Sequence, residues 1–182
     1  MNDLLNSTWL AQFFTIPQLI GVLGYIVGVS AFLQRSDNAF RWQLTIVNII
    51  MSVHFYLLGP DSYPAAILNI INIFRNIASA YTRNLFVMIF FILLMWVLSL
   101  PTIVVPMQYL SVIGTSLVTF SMFRLQQASM RFGILLSSVL WIIYSIWMGS
   151  IGSLAIETTF AIINIITIIK LSKITKQTNT IS

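Results

Sequence analysis

Of the four acidic residues in the sequence, only Glu157 falls inside a long apolar run, Gly152 to Leu171. An acidic residue at the centre of a membrane helix costs about 2.5 to 3.5 kcal/mol on insertion scales, so it needs a partner or a water-filled cavity. At about 1.5 Å of rise per residue, Glu157 sits roughly 7 to 8 Å below one end of its run, too deep for a free surface position. A carboxyl held there can take up and release a proton, which makes Glu157 a candidate for proton coupling along a solute pathway. The other reading is a carboxyl hydrogen-bonded between helices as packing glue.

Asn69, Asn72 and Asn76 recur at i, i+3 and i+7 and form a polar stripe along one helical face; Glu157, Ala161 and Asn164 form a similar stripe on another. Amides both donate and accept hydrogen bonds, so facing stripes would line a pocket for a neutral hydroxylated or amide-bearing solute. Asn between membrane helices is also ordinary glue, and both readings stay open. His54 lies about 18 Å along its run from the basic end, at a depth comparable to Asn69 and Glu157. It is a candidate proton shuttle or a neutral ring bonded to a carbonyl. Arg75 is expected near the inner interface with its charge in the headgroups, with contact to substrate or to a helix end as its other role. Trp9, Trp42, Trp96 and Trp147 read as interface or packing residues. With one His and no Cys, no metal site is expected. There is no Ser/His/Asp set, phosphate loop or carboxylate pair, so no enzyme and no cofactor are expected.

The elements that must position these groups follow from composition. The 182 residues are 58% hydrophobic and 7% charged, with a mean hydropathy of +0.95, outside the usage of soluble domains. Backbone in lipid must bond to itself, so apolar runs of about 20 residues read as helices. Seven such runs extend from Phe13 to Leu33, Trp42 to Gly59, Ser62 to Tyr81, Leu85 to Leu100, Ile103 to Phe123, Phe132 to Gly149 and Gly152 to Leu171. Met1 to Gln12 has no basic start and carries Asp3, so the first run is expected to stay as a span rather than be cleaved. The whole chain, 1–182, reads as one membrane domain with a cytoplasmic tail over 172–182.

Arg35, Arg41, Arg75, Arg83, Arg124, Arg131, Lys170, Lys173 and Lys176 all fall at one end of these runs, while the connections around Pro60, Pro101 and Ser150 carry no Lys or Arg. Positive residues stay inside, so the amino terminus is expected outside and the carboxyl terminus in the cytoplasm. The net charge of +5 is spread singly rather than gathered in a basic arm, which argues against nucleic acid.

A shift of 90 residues aligns Gly24 with Gly114, Arg41 with Arg131, Trp42 with Phe132, His54 with Tyr144 and Gly59 with Gly149. Beyond that glycine a shift of 88 pairs Asn69 with Glu157 and Asn76 with Asn164, which requires two extra residues in the Gly-Pro-Asp turn. Both triplets start on the same side, so they read as parallel repeats: 13–81 and 103–171, joined by a connector over 85–100. The expected fold is an all-α integral membrane protein of seven transmembrane helices in a 3+1+3 arrangement.

This arrangement, with Trp141-Ile-Ile-Tyr144 in the sixth run, resembles the SWEET, PQ-loop and PnuC-like superfamily, in which two three-helix bundles enclose a solute pathway. A closer resemblance is to the YgjV family of bacterial inner-membrane proteins. It is carried by His54-Phe-Tyr-Leu-Leu-Gly59, by Asn69 with Arg75, and by Met148-Gly-Ser-Ile-Gly-Ser-Leu-Ala-Ile-Glu157, and it covers roughly Ile20 to Leu171. The resemblance implies a bacterial inner-membrane location. The SWEET-like resemblance implies that Asn69 and Glu157 contact solute from equivalent helices and that Trp141 and Tyr144 form an aromatic wall, simple core packing being the other reading for the two rings. The Pro-Gln pair that ends the first helix of each PQ-loop repeat is missing: Leu33-Gln34 and Phe123-Arg124 stand there. Pro17-Gln18 lies near the outer start instead.

The function expected is transport of a small polar solute by alternating access, with substrate-binding residues Asn69, Asn72, Asn76, Trp141, Tyr144, Glu157 and Asn164. The alternative is a membrane sensor or assembly module that retains the fold without transporting. The lipid bilayer and a small-molecule solute are the expected partners, and a homo-oligomer is compatible with the sequence.

Overall fold

In the computed structural model, residues 14–31 and 37–181 are described, with side chains for 14–30, 42–126 and 128–172. Residues 1–13, with Trp9 and the expected start of the first run at Phe13, and residues 32–36, with Leu33-Gln34 and Arg35, lie outside them. Seven helices and no strand occur among the described residues: α1 (Ile16–Ala31), α2 (Asp37–Leu58), α3 (Tyr63–Tyr81), α4 (Leu85–Ser99), α5 (Tyr109–Arg124), α6 (Gln127–Met148) and α7 (Ile151–Ile181).

Glycine and proline set most of the breaks. Gly59 (φ 109°) and Gly149 (φ 66°) occupy the left-handed region that side chains disfavour, and Gly149 caps α6 there. Short 3₁₀ turns follow at Pro60–Ser62, Leu100–Thr102 and Pro106–Gln108, where proline removes a backbone donor. Proline at 106 explains why α5 starts at Tyr109 and not at Ile103. Conversely α2 starts before Trp42, α6 before Phe132, and α7 continues past Leu171. The apolar pattern marks what touches lipid, whereas the hydrogen-bonded helix continues into water.

Three stretches are long and apolar enough to cross a membrane by length and composition: Leu85–Thr102, Ala128–Met148 and Ile151–Ser172. Those of α1 and α2, Ile16–Ser30 and Trp42–Leu58, are apolar but shorter. α3 falls short because Asn69, Asn72, Arg75 and Asn76 interrupt its apolar sequence. α5 is 16 residues long and rich in hydroxyls. Thr115, Ser116, Thr119 and Ser121 each donate to the carbonyl four residues back, at 2.7–2.8 Å, so the helix satisfies its own polar groups.

Helices α1 and α2, α2 and α3, α5 and α6, and α6 and α7 pack as neighbours, and α1 meets α7 while α3 meets α5. Six helices therefore close a ring. α4 stands outside it, against α3 and α5, with Trp96 Nε1 donating to Ser116 Oγ at 3.2 Å. Exposed Phe86, Phe90, Leu93 and Val97 give α4 an apolar outer face, as a lipid-facing helix requires. At the α1–α7 crossing the backbones touch: a Cβ on Gly152 would lie 2.2 Å from the carbonyl carbon of Gly21.

Candidate functional site

The ring encloses a cavity of about 630 Å³. Its lining comes from α2, α3, α5, α6 and α7, and from exposed Arg83 just beyond α3. One end is bordered by Arg83 and by Arg131 at the start of α6, and is termed here the basic end. The cavity stops at Phe55, Trp141 and Ser153, short of the glycine turns at 59 and 149.

The α3 wall follows from helical spacing. Asn69, Asn72, Asn76 and Ser79 line the cavity together with Arg75, and the three Asn and the Arg are buried. Asn69 Nδ2 donates to the Ala65 carbonyl on its own helix at 2.8 Å, and Asn164 Nδ2 likewise to Phe160 at 2.8 Å. These bonds run along a helix and do not fasten neighbours together. Arg131 does reach across to Asn164 Oδ1, at 3.4 Å. Glu157 faces the same space from α7, and Ser138 of α6 lines it as well.

Of the residues singled out in the sequence, Asn69, Asn72, Asn76, Trp141, Glu157 and Asn164 thus meet around one cavity. Tyr144 and His54 stand apart from its lining. Trp141 lies over Gly114, where a Cβ would come within 2.9 Å of its Cδ1. Tyr144 sits behind it, edge-on at 5.6 Å, and both rings lie within about 6 Å of Phe55 (5.9 and 6.2 Å). This aromatic cluster closes the cavity away from the basic end. Met51 lines the cavity, whereas Phe74 of α3 is 61% exposed and lies outside its lining.

Beyond the cluster, polar bonds seal the turn end. Gln18 of α1 donates from Nε2 to the Gly149 carbonyl at 2.7 Å, and its Oε1 accepts from Ile151 N at 3.2 Å. Gln108, just before α5, donates from Nε2 to the Asp61 carbonyl at 2.7 Å and accepts from Val104 N and Val105 N at 2.6 and 3.0 Å. His54 joins the same seal: Nδ1 lies 2.6 Å from the Pro17 carbonyl and Nε2 2.7 Å from Ser150 Oγ. A carbonyl only accepts, so Nδ1 carries the proton and, in the neutral ring, Nε2 accepts from the serine hydroxyl. Gly21 leaves room for this ring, since a Cβ there would stand 2.7 Å from its Cε1.

Arg75 is the main departure from the sequence reading. It is 4% exposed and turned into the cavity wall, with Nη1 donating to Thr119 Oγ1 at 3.3 Å, and it does not reach for an interface. Asn48 and Ser138, which were not singled out, also line the cavity, as does Arg131, named in the sequence only for its charge and its place in the repeat. Asn48 and Ser138 are 90 residues apart, the repeat spacing, which was the available signal. Among the described residues no group of His, Asp or Glu could hold a metal ion.

Comparison with known proteins gives consistent results. The family model for Imp-YgjV, described as a bacterial inner membrane protein, matches residues 15–175. The inner membrane protein YgjV of Escherichia coli (strain K12) is 34% identical over 173 residues, 95% of this chain and 90% of that protein. No solved structure matches. The apolar helices, their lipid-suited outer faces and this match agree that the chain belongs to the YgjV family of multi-pass bacterial inner-membrane proteins.

Proposed function

We propose that this protein moves a small polar solute across the inner membrane by alternating access between two three-helix halves, α1–α3 and α5–α7, joined by α4. The observation that carries this reading is a cavity, with amide, hydroxyl and charged groups set among apolar side chains, that reaches the basic end and is shut at the other, with corresponding residues of both halves in its wall. The repeat spacing pairs Met51 with Trp141 and Asn48 with Ser138 on α2 and α6. It pairs Asn69 with Glu157, Asn76 with Asn164 and Ser79 with Thr167 on α3 and α7. All of these line the cavity. Helix neighbours also map onto one another under α1→α5, α2→α6 and α3→α7, the α1–α7 contact becoming α5–α3. Gln18 and Gln108, again 90 residues apart, each bond the turn region that follows the second helix of the opposite half.

In this reading the basic end is cytoplasmic and the protein is in an inward-facing state, with the glutamines as latches of the outer gate. A reporter fused after Gln177 is expected in the cytoplasm and one inserted near Ser62 or Ser150 outside, because the basic residues collect at the other end. A periplasmic carboxyl terminus would overturn the seven-span topology.

Releasing both latches should favour the outward-facing state. Each buried hydrogen bond contributes about 1 kcal/mol, so Gln18→Leu with Gln108→Leu, which remove three bonds across the seam, should shift the balance by about 3 kcal/mol, more than a hundredfold. The chain has no cysteine, so a single Asn48→Cys, at a part-exposed position in the cavity wall, serves as reporter. With the latches intact it should react with a membrane-impermeant maleimide from the cytoplasmic side; without them, labelling from outside should rise by about an order of magnitude. Unchanged external labelling would rule out the latch and leave a sensor or assembly module as the better account.

A further inference from the structure

Three polar atoms on one face of α3 lack any hydrogen-bond partner although their residues are more than nine-tenths buried: Asn72 Oδ1, Arg75 Nε and Asn76 Oδ1. All three residues line the cavity, one helical turn or less apart. Arg75 has a single weak protein bond, to Thr119 at 3.3 Å, and no carboxylate partner within the described residues. A buried guanidinium left unpaired is costly, and so is a buried amide oxygen without a donor.

The fold itself does not demand these groups. Under the repeat spacing the positions corresponding to Asn72 and Arg75 are Phe160 and Ile163, which line the same cavity from α7. The second half is therefore built with apolar residues where the first has an amide and a cation. Packing alone explains Phe160 and Ile163 but not their counterparts. The wall as a whole carries three guanidiniums, at 75, 83 and 131, against the one carboxylate of Glu157, a balance that draws anions toward the mouth.

Building on the transport reading above, we propose that the solute is a small hydroxy or amino acid, bound through its anionic carboxylate against Arg75, that presents hydroxyl or amino donors to the Asn72 and Asn76 oxygens. Guanidinium matches a carboxylate in shape and charge, and its Nε is one prong of the planar fork that such pairs use. The amide oxygens can only accept, so the groups beside the carboxylate must donate. A cavity of about 630 Å³ accommodates such a molecule.

The test uses the full chain in phosphatidylcholine vesicles, with thermal stabilisation and uptake measured for five probes: glycerate, serine, their amides glyceramide and serinamide, and glycerol. The expected result is stabilisation and uptake of glycerate or serine, with the matching amide weaker by about tenfold or more. Glycerate against serine distinguishes hydroxyl from amino donors. Arg75→Gln should erase the preference for the acid over its amide, while Arg75→Lys, which keeps the charge but not the fork, should retain the preference with weaker binding. Should Arg75→Gln fail to fold, Asn76→Asp carries the same test, since a second negative charge beside Arg75 should turn the acid away. Glycerol or the amides bound as well as the acids, with Arg75 dispensable, would overturn the anion assignment and leave transport standing. Neither stabilisation nor uptake with any of the probes would overturn both.

Discussion

Gly152→Leu is expected to separate α7 from α1 and to cost about 3 kcal/mol or more, the upper range for forcing bulk into a packed contact. A side chain at this position meets backbone, not the movable end of another side chain: its first carbon would lie within 2.2–2.5 Å of the Gly21 carbonyl carbon, oxygen and Cα. Nothing there can rotate away, so a whole helix must move. The displacement would carry with it the neighbouring bonds from Gln18 to Gly149 and Ile151 and from His54 to Ser150. Gly28→Ala is the matched control on α1, where a new Cβ would find Ile156 at an ordinary 3.7 Å and should change little. Unfolding midpoints in detergent decide between them. Equal midpoints for the two variants would mean that α1 and α7 do not cross at Gly21 and Gly152.

That contact was not legible in the sequence, and the reason is general. Hydropathy reports which residues avoid water, so it located the apolar runs of all seven helices, and turn chemistry at Gly59, Pro60 and Gly149 located the breaks between several of them. Which face of each helix meets which neighbour is a property of packing, and small residues such as Gly21 and Gly152 carry no hydropathy signal of their own. The polar stripe on α3 was legible because 3.6-residue periodicity puts Asn69, Asn72 and Asn76 on one face whatever the neighbours are. Arg75 shares nearly the same face, but its long side chain allowed a reach toward the headgroups, and only the position of Thr119 shows that it turns inward. Gln18 was set aside because it did not fit an inner hinge. Its bonds lie at the opposite end, and its spacing of 90 from Gln108 gains meaning only once both side chains are seen to reach across a seam between halves.

Glu157→Gln is expected to abolish the response of solute uptake to a pH gradient while leaving solute binding and folding largely in place. Glutamine keeps the size of the side chain and an oxygen that accepts hydrogen bonds, but it cannot exchange a proton. The cavity offers no other carboxyl among its lining residues: its remaining charged groups are the guanidiniums of Arg75, Arg83 and Arg131. His54, the other titratable candidate, is engaged with Pro17 and Ser150 outside the cavity. In the proposed transport cycle, Glu157 is therefore the group that would carry a proton along with solute. Glu157→Leu should lose both pH response and binding, since it also removes the polar contact that a solute uses. Asn69→Leu, on the opposite wall, should lower uptake by about tenfold without altering its pH profile, because an amide contributes contact but no proton. Vesicle uptake with and without an imposed gradient, for the unmodified protein and these three variants, separates the roles. If Glu157→Gln and Asn69→Leu both transport as the unmodified protein does while remaining folded, the cavity is not the solute site, and Glu157 is a structural tie between helices.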